Sequence, residues 1–111
     1  MNFRKTVAAW ALVAVPAAVM AQSPAPAPDP HLARNLAATC ANCHGTNGNA
    51  RGDMKPLAGL QAEKIVAMLN DYKSGALPAT IMHQIAKGYT DEQIKLIAGY
   101  FAAQQPKKPR P

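Results

Sequence analysis

Aromatic side chains are scarce in this sequence, at 5% of its 111 residues against an apolar content of 49%. That is thin material for a core. Acidic residues are few as well: six, against twelve Lys and Arg, for a formal net charge of +6. Two cysteines cannot build a disulfide-rich scaffold. No apolar run reaches the ~20 residues that span a bilayer. Length excludes more, because a second domain of ordinary size, a TIM barrel or a standard dinucleotide-binding fold does not fit.

The positive charge collects at the two ends. Arg4 and Lys5 precede an apolar stretch, Thr6 to Val15, which Pro16 interrupts before the small-residue site Val19-Met20-Ala21. This pattern predicts a signal peptide over 1–21, hence an exported, periplasmic protein with no membrane span after cleavage. Lys107, Lys108 and Arg110 crowd the other end. The part between is close to neutral. Nucleic-acid binding would need a clustered basic stripe, and none is present.

Residues 22–30 (QSPAPAPDP) form a Pro/Ala linker, in which alternate prolines favour extended backbone and prevent a helix. Residues 106–111 (PKKPRP) read as a basic, Pro-rich, mobile tail. The compact domain is therefore expected over 31–105. A domain of that size is marginal without a disulfide, a metal or a cofactor.

Three helices and no convincing strand are legible in it. The first is expected from about His31 to Cys43, started by Asp29 or the Pro30 turn, with Leu32, Leu36 and Ala37 as its stripe. The second runs from about Gln61 to Ser74, where Ile65, Met68, Leu69 and Tyr72 keep the helical period and Gly75 closes the helix. The third runs from about Asp91 to Gln104, with Thr90 and Gln93 at capping-box spacing and Ile94, Ile97, Ala98 and Phe101 as its stripe. A shorter piece covers Ile81 to Ala86 and ends at Gly88. The segment from Gly45 to Leu60 reads as loop. These stripes are narrow and Ala-rich, as though something other than side chains fills the centre.

Cys40-Ala41-Asn42-Cys43-His44 is C-x-x-C-H, the signal for covalent attachment of a c-type haem. Two thiols at that spacing each add across one vinyl group of a single porphyrin, and the next residue offers its imidazole to the iron. Three other readings fit less well. A thioredoxin-like C-x-x-C should follow a strand and open a helix, whereas this one closes a helix. A Cys40–Cys43 disulfide would close a very short loop and stabilise little. A zinc site needs four ligands, and the other histidines are scattered. The candidate proximal ligand is thus His44, with Cys40 and Cys43 as tethers.

Candidates for a second axial ligand are Met54, Met68, Met82 and His83. Met68 lies on the stripe of the second helix, where core packing explains it. Met54 lies in a polar loop ten residues after His44 and reads as a surface or partly covering residue. Met82 follows the second helix and precedes the third, where a loop can fold over the opposite face of the porphyrin. His83 beside it would give two nitrogen ligands. His31 reads as helping to begin the first helix.

The attachment motif together with Leu57-Ala58-Gly59, Tyr72-Lys73-Ser74-Gly75, Ala79-Thr80-Ile81-Met82 and the stretch from Ala86 to Gln93 resembles class I c-type cytochromes. Within them it is most similar to the haem subunit of flavocytochrome c sulfide dehydrogenases and related single-haem carriers. The resemblance covers about residues 31–104. It implies an all-α fold wrapped around one covalent haem, with first and last helices crossing near Ala33 or Ala37 and Gly99, Tyr100 and Phe101. It implies Met82 as distal ligand and the Pro56 carbonyl as the group that fixes the His44 ring. The arginine that family members place after the Gly75 position to meet a haem propionate is absent, so Tyr72 or Lys73 is expected to substitute.

The function this implies is electron transfer by Fe(II)/Fe(III) cycling, without catalysis by the chain itself. In one form the protein is the cytochrome subunit of, or acceptor for, a flavoprotein such as sulfide dehydrogenase. In another it is a free shuttle to a terminal oxidase or reductase. A ligand-binding haem sensor or peroxidase-like protein would instead require an open iron site, without a Met82 ligand. An apolar face at the haem edge favours docking, while a ring of lysines favours transient encounters.

Overall fold

The computed structural model describes residues 25–108. The expected signal peptide, the first residues of the linker and the last three of the tail lie outside them. Among the described residues there are four α-helices, one 3-10 turn and no strand. The helices are α1 (Leu32–His44), α2 (Ala62–Ser74), α3 (Met82–Lys87) and α4 (Asp91–Ala102).

Local chemistry explains the helix ends. The Asp29 carboxylate accepts the His31 N–H at 2.8 Å, and the Asp29 carbonyl accepts the Leu32 N–H at 3.1 Å, so Asp29 turns the chain into α1. Gly75 closes α2, its N–H donating to the Tyr72 carbonyl. The capping box of α4 is complete: the Thr90 hydroxyl accepts the Gln93 N–H at 3.2 Å, and the Gln93 side chain accepts the Thr90 N–H at 2.9 Å. Asp91 and Glu92 sit in the first turn, where the helix dipole favours negative charge. Each helix lies within a residue or two of its sequence expectation.

The core is small. Ala37 of α1, Ile65 of α2 and Ile97, Ala98 and Phe101 of α4 form one buried cluster. α4 thus packs on both α1 and α2, while α3 packs on α2. Small residues make the α1–α4 crossing: Ala37 and Ala98 are both buried in the shared cluster. Gly99, which the resemblance places at that crossing, is exposed, and a Cβ there would meet nothing within 4 Å. It lies on the opposite side of α4 from its buried stripe, so the close approach falls one residue earlier.

The glycine that closeness does require is Gly48. It is buried with φ +75°, and a Cβ on it would come 2.7 Å from the Ala58 nitrogen and 2.8 Å from Phe101 Cδ1. The loop after α1 therefore presses directly on the largest buried side chain of α4. Among the described residues, no helix is long and apolar enough to cross a membrane.

Candidate functional site

The last turn of α1 carries Cys40, half-buried, and Cys43, exposed, with His44 as its final residue. The two are not joined by a disulfide. Burial pushes the Cys40 thiol above its ordinary pKa; a backbone hydrogen bond opposes this, and the charge of nearby Cys43 adds to it. No three His, Cys, Asp or Glu side chains among the described residues converge as a metal ion would require, so the zinc alternative has no donor set.

From His44 the chain turns through Thr46–Gly48 and then runs as an exposed loop to Pro56. It comes back on itself at Gly48, whose carbonyl accepts the N–H groups of Leu57 at 2.8 Å and Ala58 at 3.1 Å. This closure brings the Lys55 carbonyl to 2.8 Å from His44 Nδ1. A carbonyl can only accept, so Nδ1 carries the proton and the lone pair is left on Nε2. Such a bond fixes the ring and raises its basicity as a ligand. The sequence led us to expect the Pro56 carbonyl here. Because proline has no N–H, the first donor to Gly48 is Leu57, and the carbonyl left facing the ring lies one residue before the proline.

His44, Cys40 and Cys43 open onto a cavity of about 600 Å³ between α1, α2 and the segments around Met54 and Met82. That is within the size range of small-molecule and cofactor sites, ~300–1,000 Å³. Ile65, Met68 and Leu69 of α2 line it, as does Ile97 of α4. Met82 is half-buried at the first position of α3 and also lines it. His83 does not; its Nδ1 is buried without a hydrogen-bond partner. The nitrogen alternative beside Met82 is therefore not on the cavity wall.

Of the methionines, Met68 differs from the sequence expectation and Met54 agrees with it. Met68 is half-buried on the cavity wall and stands outside the buried cluster that holds Ile65. The period places it on the apolar side of α2, but that side faces partly the core and partly the cavity. Met54 is 44% exposed and reaches the cavity from the loop. Of the two expected propionate partners, Tyr72 lines the cavity. Lys73 does not, because its ammonium donates to the Tyr89 carbonyl at 2.7 Å and to Asp91 at 3.2 Å, tying α2 to the start of α4. Lys64, which sequence reasoning missed, is on the wall; it precedes Met68 and Tyr72 by one and two helical turns.

This donor set fits a haem: two thiols, an imidazole with one free nitrogen and a thioether surround a cavity that is otherwise largely apolar. No family model matches the chain. Curated relatives do. The chain is 35% identical over 69 residues to cytochrome c-553 of Desulfomicrobium norvegicum, across 60% of its own length and 86% of that protein. The chain belongs to the c-type cytochromes. This cytochrome is also 46% identical over 66 residues to the cytochrome subunit of sulfide dehydrogenase of Chlorobaculum tepidum, matching 60% of each chain. It thus spans less than two thirds of that relative. Among solved structures it resembles cytochrome c4 of Acidithiobacillus ferrooxidans, with a TM-score of 0.56 and 36% identity over 58% of this chain and 37% of that one. The all-α architecture read from the sequence agrees with that neighbour.

Proposed function

We propose that this cytochrome binds one haem c covalently through Cys40 and Cys43, with His44 and Met82 as axial ligands, and serves as a periplasmic electron carrier. The observation that carries the reading is the arrangement of these four side chains on one cavity, with His44 Nδ1 already engaged by Lys55. When bound, the group supplies a one-electron Fe(II)/Fe(III) couple, which Met/His ligation sets higher than two histidines would.

The chain's own residues do the rest. The thiols three positions apart tether one edge of the porphyrin. The Lys55 carbonyl holds His44 with Nε2 free. Met82 would be the second side chain to hold the iron, which would leave no coordination site for a substrate. Ile65, Leu69 and Ile97 keep water from the cavity floor. Tyr72 and Lys64 are the polar wall residues available to the propionates.

The electron donor in this reading is a flavoprotein such as a sulfide dehydrogenase, with this chain as its cytochrome subunit or acceptor. Support comes from the likeness to the Chlorobaculum subunit and from the cavity mouth. Met54 and Ile81, 44% and 54% exposed, both line the cavity, so its mouth carries exposed apolar side chains beside Asp53, Lys55 and Lys64. Exposed apolar side chains at a redox edge suit a docked partner better than a ring of charge.

Intact-mass measurement on exported protein tests attachment: residues 22–111 plus one haem that acid-acetone does not extract is expected. Extractable haem, or none, refutes it. For the partner, stopped-flow mixing should show faster reduction by sulfide with a sulfide-oxidising flavoprotein than without. Equal rates would remove the flavoprotein from the reading.

A further inference from the structure

The chain beyond α4 is tied back to the loop that carries Lys55. Asn49, half-buried, donates from Nδ2 to the Gln105 carbonyl at 3.3 Å and accepts the Lys107 N–H at Oδ1, at 2.7 Å. One side-chain amide thereby satisfies a backbone acceptor and a backbone donor two residues apart. Pro106, between them, lies over Gly59: a Cβ on Gly59 would be 2.7 Å from Pro106 Cγ, and its φ is +74°. The Gly59 N–H donates to the Phe101 carbonyl at 2.9 Å. The segment from Phe101 to Lys107 therefore crosses the loop at three points. The sequence assigns Pro106 and Lys107 to a free tail; these contacts depend on a partner 58 residues away from Lys107.

Arg51 to Pro56 are all exposed. Between Asn49 and Pro56, the hydrogen bonds that reach the body of the fold are the two made by the Asn49 side chain and the one that the Lys55 carbonyl accepts from His44. The Lys55 carbonyl is thus held between two anchors, the Gly48 closure and the Asn49 clasp.

We infer that Asn49, clasping Gln105 to Lys107, is a positioning residue for His44: it holds the loop so that the Lys55 carbonyl stays on Nδ1. This rests on the reading of His44 as an axial ligand. A firm Nδ1–H···O bond makes the imidazole more basic and favours the more highly charged Fe(III) state. Loosening the clasp therefore raises the reduction potential.

The test uses the haem-loaded full chain, with Asn49→Ala, a chain ending at Gln105, and Asn49→Asp, which keeps the acceptor for Lys107 but loses the donor to Gln105. Two quantities are read: the midpoint potential and hydrogen exchange of the Leu57 and Ala58 amides in the reduced protein. The alanine variant and the shortened chain should exchange both amides at least ~10-fold faster, since about 1.4 kcal/mol of lost local stability corresponds to that factor. Both should have a higher midpoint, with Asn49→Asp intermediate. Unchanged exchange overturns the clasp. Faster exchange at an unchanged midpoint overturns its role in positioning His44. The ligand reading fails separately: His44→Gln, with Asn49 intact, would then keep the wild-type haem spectrum.

Discussion

Replacing Cys40 and Cys43 together by alanine removes both proposed tethers and asks whether this chain folds without its cofactor. The expected answer is that it does not, and the size of the central cavity says why. At about 24 cal/mol per Å³ for an enclosed void, keeping all of about 600 Å³ dry would cost at most about 14 kcal/mol, and the mouth is open, so water enters instead. Small domains have ~5–15 kcal/mol in total. Flooding the cavity removes that cost but wets Ile65, Leu69 and Ile97, which are among the few large apolar side chains present. Closing it would require α1 and α2 to approach past Met68 and Tyr72. The buried cluster of two isoleucines, two alanines and one phenylalanine is too small to offset any of these costs. The doubly substituted chain, exported and purified free of haem, should show weak far-UV helical circular dichroism and a broad, shallow urea titration. A sigmoidal transition with wild-type helical ellipticity would refute the reasoning and show that the helices support one another unaided.

Other outcomes follow from single residues. Met82→Ala should lose the weak near-infrared sulfur-to-iron band of the oxidised protein and admit carbon monoxide when reduced, while Met54→Ala and Met68→Ala keep the band; persistence in Met82→Ala with loss in Met54→Ala would move the ligand to the proximal loop. Phe101→Ala, at a fully buried position against Gly48, should cost the haem-loaded protein ~3–5 kcal/mol in urea unfolding. Thr90→Ala breaks the capping box and should cost ~0.5–2 kcal/mol by the same measurement, with no shift in reduction potential. Tyr72→Phe should change the pH dependence of the midpoint potential and Lys73→Met should not, because Lys73 is committed to Tyr89 and Asp91.

What the sequence disclosed and what it withheld divide along contact range. The two cysteines and His44 stand out in the sequence because the proposed attachment demands their spacing within five residues of one helix. The ends of α2 and α4 are legible for the same reason: Gly75 and the Thr90–Gln93 pair act over a single turn. The Lys55 carbonyl, the Asn49 clasp and the engagement of Lys73 join residues 11 to 58 apart. No local pattern marks them. An asparagine in a Gly-rich loop looks like any turn residue, and a lysine at the end of a helix looks solvated. Met68 was misread because periodicity reports which side of a helix is apolar and not whether that side meets side chains or a cofactor.

The two proposed axial ligands are held to different degrees, and this bears on function. His44 ends a helix of 13 residues whose Ala37 is buried against α4. Its ring is fixed by Lys55, and the loop bearing Lys55 is closed at Gly48 and clasped at Asn49. Met82 begins a helix of only six residues, less than half the length of α1. Just before it, Ile81 is 54% exposed. Local stability falls where buried contacts and protected hydrogen bonds are few. The proximal side is therefore the rigid reference of the site and the Met82 side its compliant wall. A carrier that accepts an electron from a docked partner needs a fixed ligand geometry so that little reorganisation accompanies the change of charge. On the proposed ligation His44 meets that requirement, and the Met82 side is where the site can still give.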